Sequence, residues 1–596
     1  MHVHTLHVDS ARQDNSLTTA SRRFWPFLLA LLALFVAACG GSSNTANTGK
    51  ASDDQQVFIK PIEGRSELQS FDPALVTEGA SISAVNLVFT GLVQLDDNLQ
   101  VRDQLAQSHS LGSDGVTWTF KLKPGLKFSD GKPLTSADVA YSLDRALDPA
   151  LKSAVSPIYL GLIKDSDKRF TGEVKSLIND SILTPDDQTV VLIAKNKAAY
   201  FLQILTYQTS YVVEKSMIDK YGNDFASHLS EGIGGSGPFK VSKYLPNKEI
   251  EFVPNPNYYG EKPQIKKIVM PFYQKADTSY RAYQAGQVST ADVPSIQIES
   301  AKQLPSNQFQ TVPQLDVEYV TMNYLAKPFN NLKIRQAFAL AVDKDAIAHS
   351  VYKDGVVPTN HIIPKGMPGY NEKATAPQGV TSTKGDPTLA KQLFEQGMKE
   401  EGFTASTLPQ LTLTFASRGT SDSRNMFSAL QQMWQGTLGV TVRLEDEDYN
   451  KLLSDRTNSV NNPKGMQMYA LDWTADYPDP QNWLTLLFDK GSPKNAMNYG
   501  QNQTLMAKDQ QAVQQLMEEA DVNTNPQERL QQYNEAEQKL LNDVVWIPIY
   551  QYARTIVRKP CVIGVVENAQ NFTPPDDWGK IYISNANPCA DTSQYK

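Results

Sequence analysis

Val36-Ala37-Ala38-Cys39-Gly40 places a cysteine directly after small residues at the end of an apolar run, Phe24 to Ala38, that follows Arg22-Arg23. A cationic flank, an apolar middle and small side chains before a cut are the pattern of a secretory signal. A cysteine immediately after the cut is the residue bacteria lipidate, so the chemistry expected at Cys39 is attachment of a fatty acyl anchor such as palmitate. The run is too short to cross a bilayer, which takes about 20 residues. Residues 1–38 are therefore expected to be removed, and His2, His4 and His7 with them. Ser21-Arg22-Arg23-Phe24 also hints at twin-arginine export, although an arginine pair here equally serves as the charge of an ordinary signal.

Other chemistry-bearing residue types give less. Gly232 to Gly237 is followed by no Gly-Lys-Ser/Thr, so it makes no phosphate cradle. Pro238 stands where the last glycine of a nucleophile elbow would be. Gly125 to Lys132 fails as a P-loop too, because five residues separate its glycines and Pro133 replaces the hydroxyl residue. Turns account for both stretches, as for Pro254-Asn255-Pro256-Asn257, with Tyr258 and Tyr259 packed alongside. Past the signal the histidines are His109, His228, His349 and His361, widely spaced and without a zinc-protease motif. Neither a catalytic residue nor a metal ligand nor a cofactor is expected, although a Ser-His-Asp set could still assemble from distant positions. Cys561 and Cys589, 28 positions apart, suit a disulfide in an oxidising compartment, worth at most ~3.5 kcal/mol by loop closure; two free thiols are the alternative. Asp472, Asp476 and Asp479 lie in a Pro-rich loop, where acids either cap turns or await a cation.

Size and charge narrow the class. Removing 38 of 596 residues leaves 558, enough for two to four domain-sized units. The net charge of −8 becomes −9, because three basic and two acidic side chains leave with the signal. Such a balance offers bulk attraction neither to nucleic acid nor to an anionic membrane. Polar residues from Gly40 to about Gln55 read as a flexible leash.

The elements that must position any site alternate between strand and helix. Val116 to Leu122 alternates as a half-buried strand behind the turn Ser113-Asp114-Gly115. Thr135, with Asp138 three residues on, reads as a helix start that turns Val139, Leu143 and Ala146 inward. Leu411–Phe415, a helix over 423–435 and a strand over 440–444 form a βαβ unit whose strands should be parallel, with a right-handed crossover. A helical stretch is expected over 331–351, and another from Pro526 that ends before a strand over 544–550.

Several strings carry a resemblance. Ser70-Phe71-Asp72-Pro73, Phe89-Thr90-Gly91-Leu92-Val93, Lys127-Phe128-Ser129-Asp130-Gly131-Lys132-Pro133-Leu134-Thr135, Gly235-Ser236-Gly237-Pro238-Phe239 and Asn255-Pro256-Asn257-Tyr258-Tyr259 come first. Pro328-Phe329-Asn330-Asn331, Arg335-Gln336-Ala337, Ala341-Val342-Asp343 and Trp473-Thr474-Ala475-Asp476-Tyr477-Pro478-Asp479-Pro480 follow. In order and spacing the chain resembles the family 5 solute-binding proteins, the peptide- and oligopeptide-binding lipoproteins of bacterial ABC importers.

The resemblance implies an α/β, two-lobed periplasmic-binding-protein-like fold (class II, cluster C) with mixed sheets in each lobe. The first lobe would comprise 56–316 with an inserted subdomain near 93–210, the second 317–548, and 549–596 would return to the first, with crossovers near Asp316 and Pro548. It further implies a monomer, held by Cys39 to the outer face of the cell membrane, that captures peptides and delivers them to permease subunits. By residue-for-residue likeness Asp476 would hold a ligand α-ammonium, Trp473 would wall the neighbouring subsite, and Thr77-Glu78-Gly79 would pair with ligand backbone. No local motif fixes the cation that meets the ligand carboxylate. Relatives with this architecture also take metal chelates, sugars or opines, and a secreted hydrolase is a more distant alternative.

Overall fold

The computed structural model describes residues 49–595 apart from Arg65, Glu78 and residues 418–420. The export segment, Cys39 and Glu78 therefore lie outside the described residues. Ordered structure begins earlier than composition suggests, because polar residues can still serve as a sheet edge. Ala51 N–H donates to Ile583 O at 2.8 Å, and the buried side chain of Gln56 bonds Ala51 O and Ile583 O, both at 2.8 Å. Residues 49–55, counted with the leash on composition, are thus fixed against the C-terminal segment.

Three sheets organise the chain. A five-stranded sheet runs in the order Val57–Ile59, Lys267–Tyr273, Glu249–Pro254 and Phe239–Leu245, with Ile62–Glu63 also on Lys267–Tyr273. A four-stranded antiparallel sheet, Ala106–Leu111, Thr117–Leu122, Thr189–Ile193 and Ile182–Asp186, has its own core around Phe120, Leu143 and Leu192. A seven-stranded mixed sheet orders Thr290–Asp292, Ile547–Arg558, Phe309–Met322, Met468–Thr474, Leu411–Phe415 and Val442–Asp446, with Val356–Pro358 on Ile547–Arg558. Two further cores pack against this last sheet, one around Phe338 and Trp434 and one around Trp483 and Trp546.

The long strands Phe309–Met322 and Ile547–Arg558 lie antiparallel, and their register breaks between Pro313 and Val317 and again between Glu318 and Tyr319. At the break Leu315 N–H turns away to Ala569 O at 3.1 Å, Leu315 O accepts from Ala475 N at 2.9 Å, and Gln551 Nε2 donates to Gln314 O at 2.8 Å. This seam therefore bends without leaving those groups unmatched.

Local signals are realised with differences at the ends. Thr135 N–H donates to Asp138 Oδ2 at 2.8 Å at the start of Ser136–Ala146, and Val139, Leu143 and Ala146 are fully buried. Leu411–Phe415 and Val442–Asp446 are parallel, flanking the helix Ser421–Leu438. The stretch over 331–351 is two helices, Leu332–Leu340 and Lys344–Ser350, because Asp343 accepts from Ala346 N at 2.9 Å and starts the second. The strand expected at 544–550 is Ile547–Arg558, since Val544 takes a left-handed conformation that ends Pro526–Asp543. The glycines at 235 and 237 serve close approach more than turning. Gly237 N–H donates to Val88 O at 2.7 Å, and a Cβ on Gly235 would fall 2.3 Å from Val88 O. Cys561 and Cys589 are joined as a disulfide. No described helix is long and apolar enough to cross a membrane.

Candidate functional site

A cleft of about 690 Å³ opens where the seam meets the loops that follow Phe71 and Trp473. Thr77 and Gly79 line it from one side of the sequence, Thr474, Ala475 and Asp476 from another, with Gln314, Asp316 and Ala553 of the seam. Tyr159 and Tyr207, stacked with ring centroids 3.5 Å apart and planes 4° from parallel, also face it. The lining contains neither histidine nor serine nor cysteine, and its hydroxyl–carboxylate contact runs from Thr474 Oγ1 to Asp316 Oδ2 at 2.6 Å.

Asp476 follows the strand Met468–Thr474, and its loop is held rigidly. Asp479 receives both guanidinium nitrogens of Arg529, at 2.8 and 2.6 Å, and also caps Gln481 N at 2.9 Å. Both partners of that ion pair are buried. Asn482 then fixes Asp476 itself: its Oδ1 accepts from Asp476 N at 3.0 Å and its Nδ2 donates to Asp476 Oδ2 at 3.3 Å. Burial raises the Asp476 carboxyl above its ordinary value, against the opposing pull of Lys494 and of the Asn482 bond. A half-buried carboxylate with one amide donor retains room for a cation. Trp473 is not among the residues lining this cleft; its indole N–H donates to Asn482 O at 3.1 Å, and Lys494 sits 4.0 Å from its ring centroid. Asp472 lines a different hollow, of about 270 Å³, with Glu318, Tyr352 and Tyr552.

On the other side, Thr77 uses both its backbone N–H and its hydroxyl on Gln69 Oε1, at 3.1 and 2.8 Å. Gly79 opens the helix Gly79–Val88, and a Cβ placed there would meet nothing within 4 Å. The Gly79 carbonyl accepts from Ser83 Oγ at 2.8 Å, and the space beside its Cα is open. Arg554 supplies positive charge to the lining, donating to Asp292 Oδ1 at 2.6 Å. The cleft thus carries the carboxylates of Asp316 and Asp476 and the guanidinium of Arg554 among apolar and aromatic surface, groups of both signs that suit a dipolar solute. Tyr159, Tyr207, Tyr552 and Arg554 were not identifiable from the sequence, since each sits in a separate segment with no motif around it.

Residues 100–495 match the family model described as bacterial extracellular solute-binding proteins, family 5 Middle. This chain belongs to that family. The family 5 protein is 26% identical over 559 residues to the dipeptide-binding protein DppE of Bacillus subtilis (strain 168), covering 92% of this chain and 98% of the relative. It is also 26% identical over 566 residues to the oligopeptide-binding protein OppA of the same organism, covering 94% and 98%. Among solved structures it is similar to MppA, a periplasmic murein tripeptide binding protein in an unliganded open form, with a TM-score of 0.77 at 22% identity, covering 90% of this chain and 99% of that one. The two-lobed mixed α/β fold of the family is therefore the fold of this chain, and its relatives are binding proteins rather than enzymes.

Proposed function

We propose that this protein is the extracytoplasmic capture component of an ABC importer, enclosing short peptides between two lobes and passing them unchanged to permease subunits. The observation that carries the reading is the half-buried, rigidly positioned Asp476 carboxylate at the cleft. A peptide ammonium meets Asp476 in a charge-assisted bond, which is stronger than a neutral one in a site shielded from water. The open space beside Gly79 accommodates a peptide main chain, a feature common to all sequences. We assign 56–316 and 549–596 to the first lobe, with the four-stranded sheet as its inserted subdomain, and 317–548 to the second. The seam between Pro313 and Tyr319 is then the hinge. Cys39, lipidated, tethers the monomer to the outer face of the membrane.

Calorimetric titration with a free tripeptide and its N-acetylated form tests the reading. The free peptide binds, acetylation weakens it, and Asp476→Ala loses ~1.5–3 kcal/mol for the free form alone, the range for hydrogen bonds to charged groups. Equal affinity for both forms would refute the role of Asp476. Cys39→Ser should release the processed protein from membranes, and retention there would refute the anchor.

A further inference from the structure

Arg554 and Phe572 line both the cleft and a second, smaller hollow of about 30 Å³. Its composition follows from strand geometry. Arg554 and Arg558 are four apart in Ile547–Arg558 and so share a face, while Lys60 leaves the end of Val57–Ile59 and Trp578 sits in the short helix Pro575–Lys580. All four line the hollow.

The charges there do not balance locally. Arg554 pairs with Asp292 at 2.6 Å and Arg558 with Glu567 at 2.6 Å. Among the described residues the Lys60 ammonium has neither a hydrogen-bond nor an ion-pair partner; burial and the Arg554 charge pull its pKa down, opposed by Asp292 and by Glu567, which lines the same hollow but is taken by Arg558. Glu63, three residues along the chain, is pushed up to about 7, chiefly by burial and then by Asp292, and accepts from Ser279 and from Asp292 N. Trp578, only 4% exposed, has an indole N–H with no acceptor. Buried indole N–H groups normally find one, and a buried unmet donor is costly. A buried unmet indole donor and a half-buried, unpaired cation, among the described residues, line the same small hollow. Its volume exceeds what one water requires, which suits a group as small as a carboxylate.

We propose that Lys60 and the Trp578 indole form an anionic subsite of the cleft that receives a carboxylate of the bound peptide, an inference that rests on the peptide reading above. The carboxylate accepts from both donors, and Arg554, shared by the two cavities, marks the way in. Its source is either the peptide C-terminus or an acidic side chain. Both present the same two oxygens.

Calorimetry with four tripeptides separates the sources: Ala-Ala-Ala as free acid, its C-terminal amide, and Ala-Glu-Ala and Ala-Ala-Glu as amides. On the wild type, one class of carboxylate should bind about ten- to a hundredfold more tightly than Ala-Ala-Ala amide. The gain should fall to within about twofold in Lys60→Met, shrink in Trp578→Phe and survive in Lys60→Arg. Lys60→Met removes a half-buried charge without an ion-pair partner among the described residues, so it should melt no lower than the wild type. Should it fail to fold, Trp578→Phe carries the same test. Carboxylate and amide peptides binding alike to the wild type, or a gain untouched by both variants, would overturn the subsite and leave the peptide reading standing. Binding of none of the four would remove both.

Discussion

Two loops that face the cleft, residues 70–79 and 473–483, are built on the same device and put it to different use. Each carries an Asp-Pro pair whose aspartate is locked to a buried arginine from a distant helix. Asp72 takes Arg145 at 3.1 and 2.6 Å, and Asp479 takes Arg529 at 2.8 and 2.6 Å. In the first loop that aspartate serves only as the anchor, and the residues described at the cleft, Thr77 and Gly79, are uncharged. In the second a further acid, Asp476, stands three residues ahead of the anchor and reaches the cleft. Among the described residues the first loop brings no charge to the cleft and the second brings a carboxylate, and on the peptide reading proposed above the features common to all peptides would be divided between them.

The anchors give the largest expected effect. Arg145→Met and Arg529→Met each leave a buried aspartate without its cation, which costs ~3–5 kcal/mol, measured by urea unfolding. A cost below ~1 kcal/mol in either would break the equivalence of the two devices. Arg529→Met should in addition weaken peptide binding, because Asp476 loses its fixed support, whereas an unchanged affinity would separate anchor from ligand contact.

The second effect concerns pH. Asp521 accepts from Tyr533 and Thr485 beside the Arg529 anchor, and burial, helped by Asp479, raises it to about 7. A carboxyl raised from its ordinary value of 3.8 keeps its proton longer in the folded state. Its contribution is therefore complete below about pH 4 and is lost as pH rises through about 7. Melting curves from pH 4 to 8 should show this decline, and Asp521→Asn should flatten it by an amount of order 3 kcal/mol. A slope unchanged in the variant would assign the pH dependence elsewhere.

The smallest effect lies in the first loop. Gly79→Ala meets open space and sits in a helix, so it should stabilise the protein by a few tenths to about 1 kcal/mol. It should nonetheless weaken peptide binding if ligand backbone approaches there. A variant that is more stable and binds equally well would remove Gly79 from the ligand contacts.

Much of this arrangement was legible in the sequence wherever the signal was local. Strand alternation over 116–122 located Thr117–Leu122, and the spacing of Thr135 and Asp138 located a helix start. The break at Asp343 was harder to see, because an aspartate inside an apolar periodicity serves as readily on an exposed face as at a cap. The glycines at 235 and 237 read as turns, since nothing local reveals that another segment, at Val88, lies against them. The Tyr159–Tyr207 stack and the hollow around Lys60 come from segments far apart in the chain, and no spacing rule connects them.

The stitched break in the two long strands has one more consequence. Because Leu315 and Gln314 already spend their polar groups on Ala569, Ala475 and Gln551, a visiting chain finds that rim taken and must lie against other walls. On the proposed reading of this seam as the hinge, the joint is thereby kept from becoming a docking edge, and release of cargo would require no zipper to be undone there.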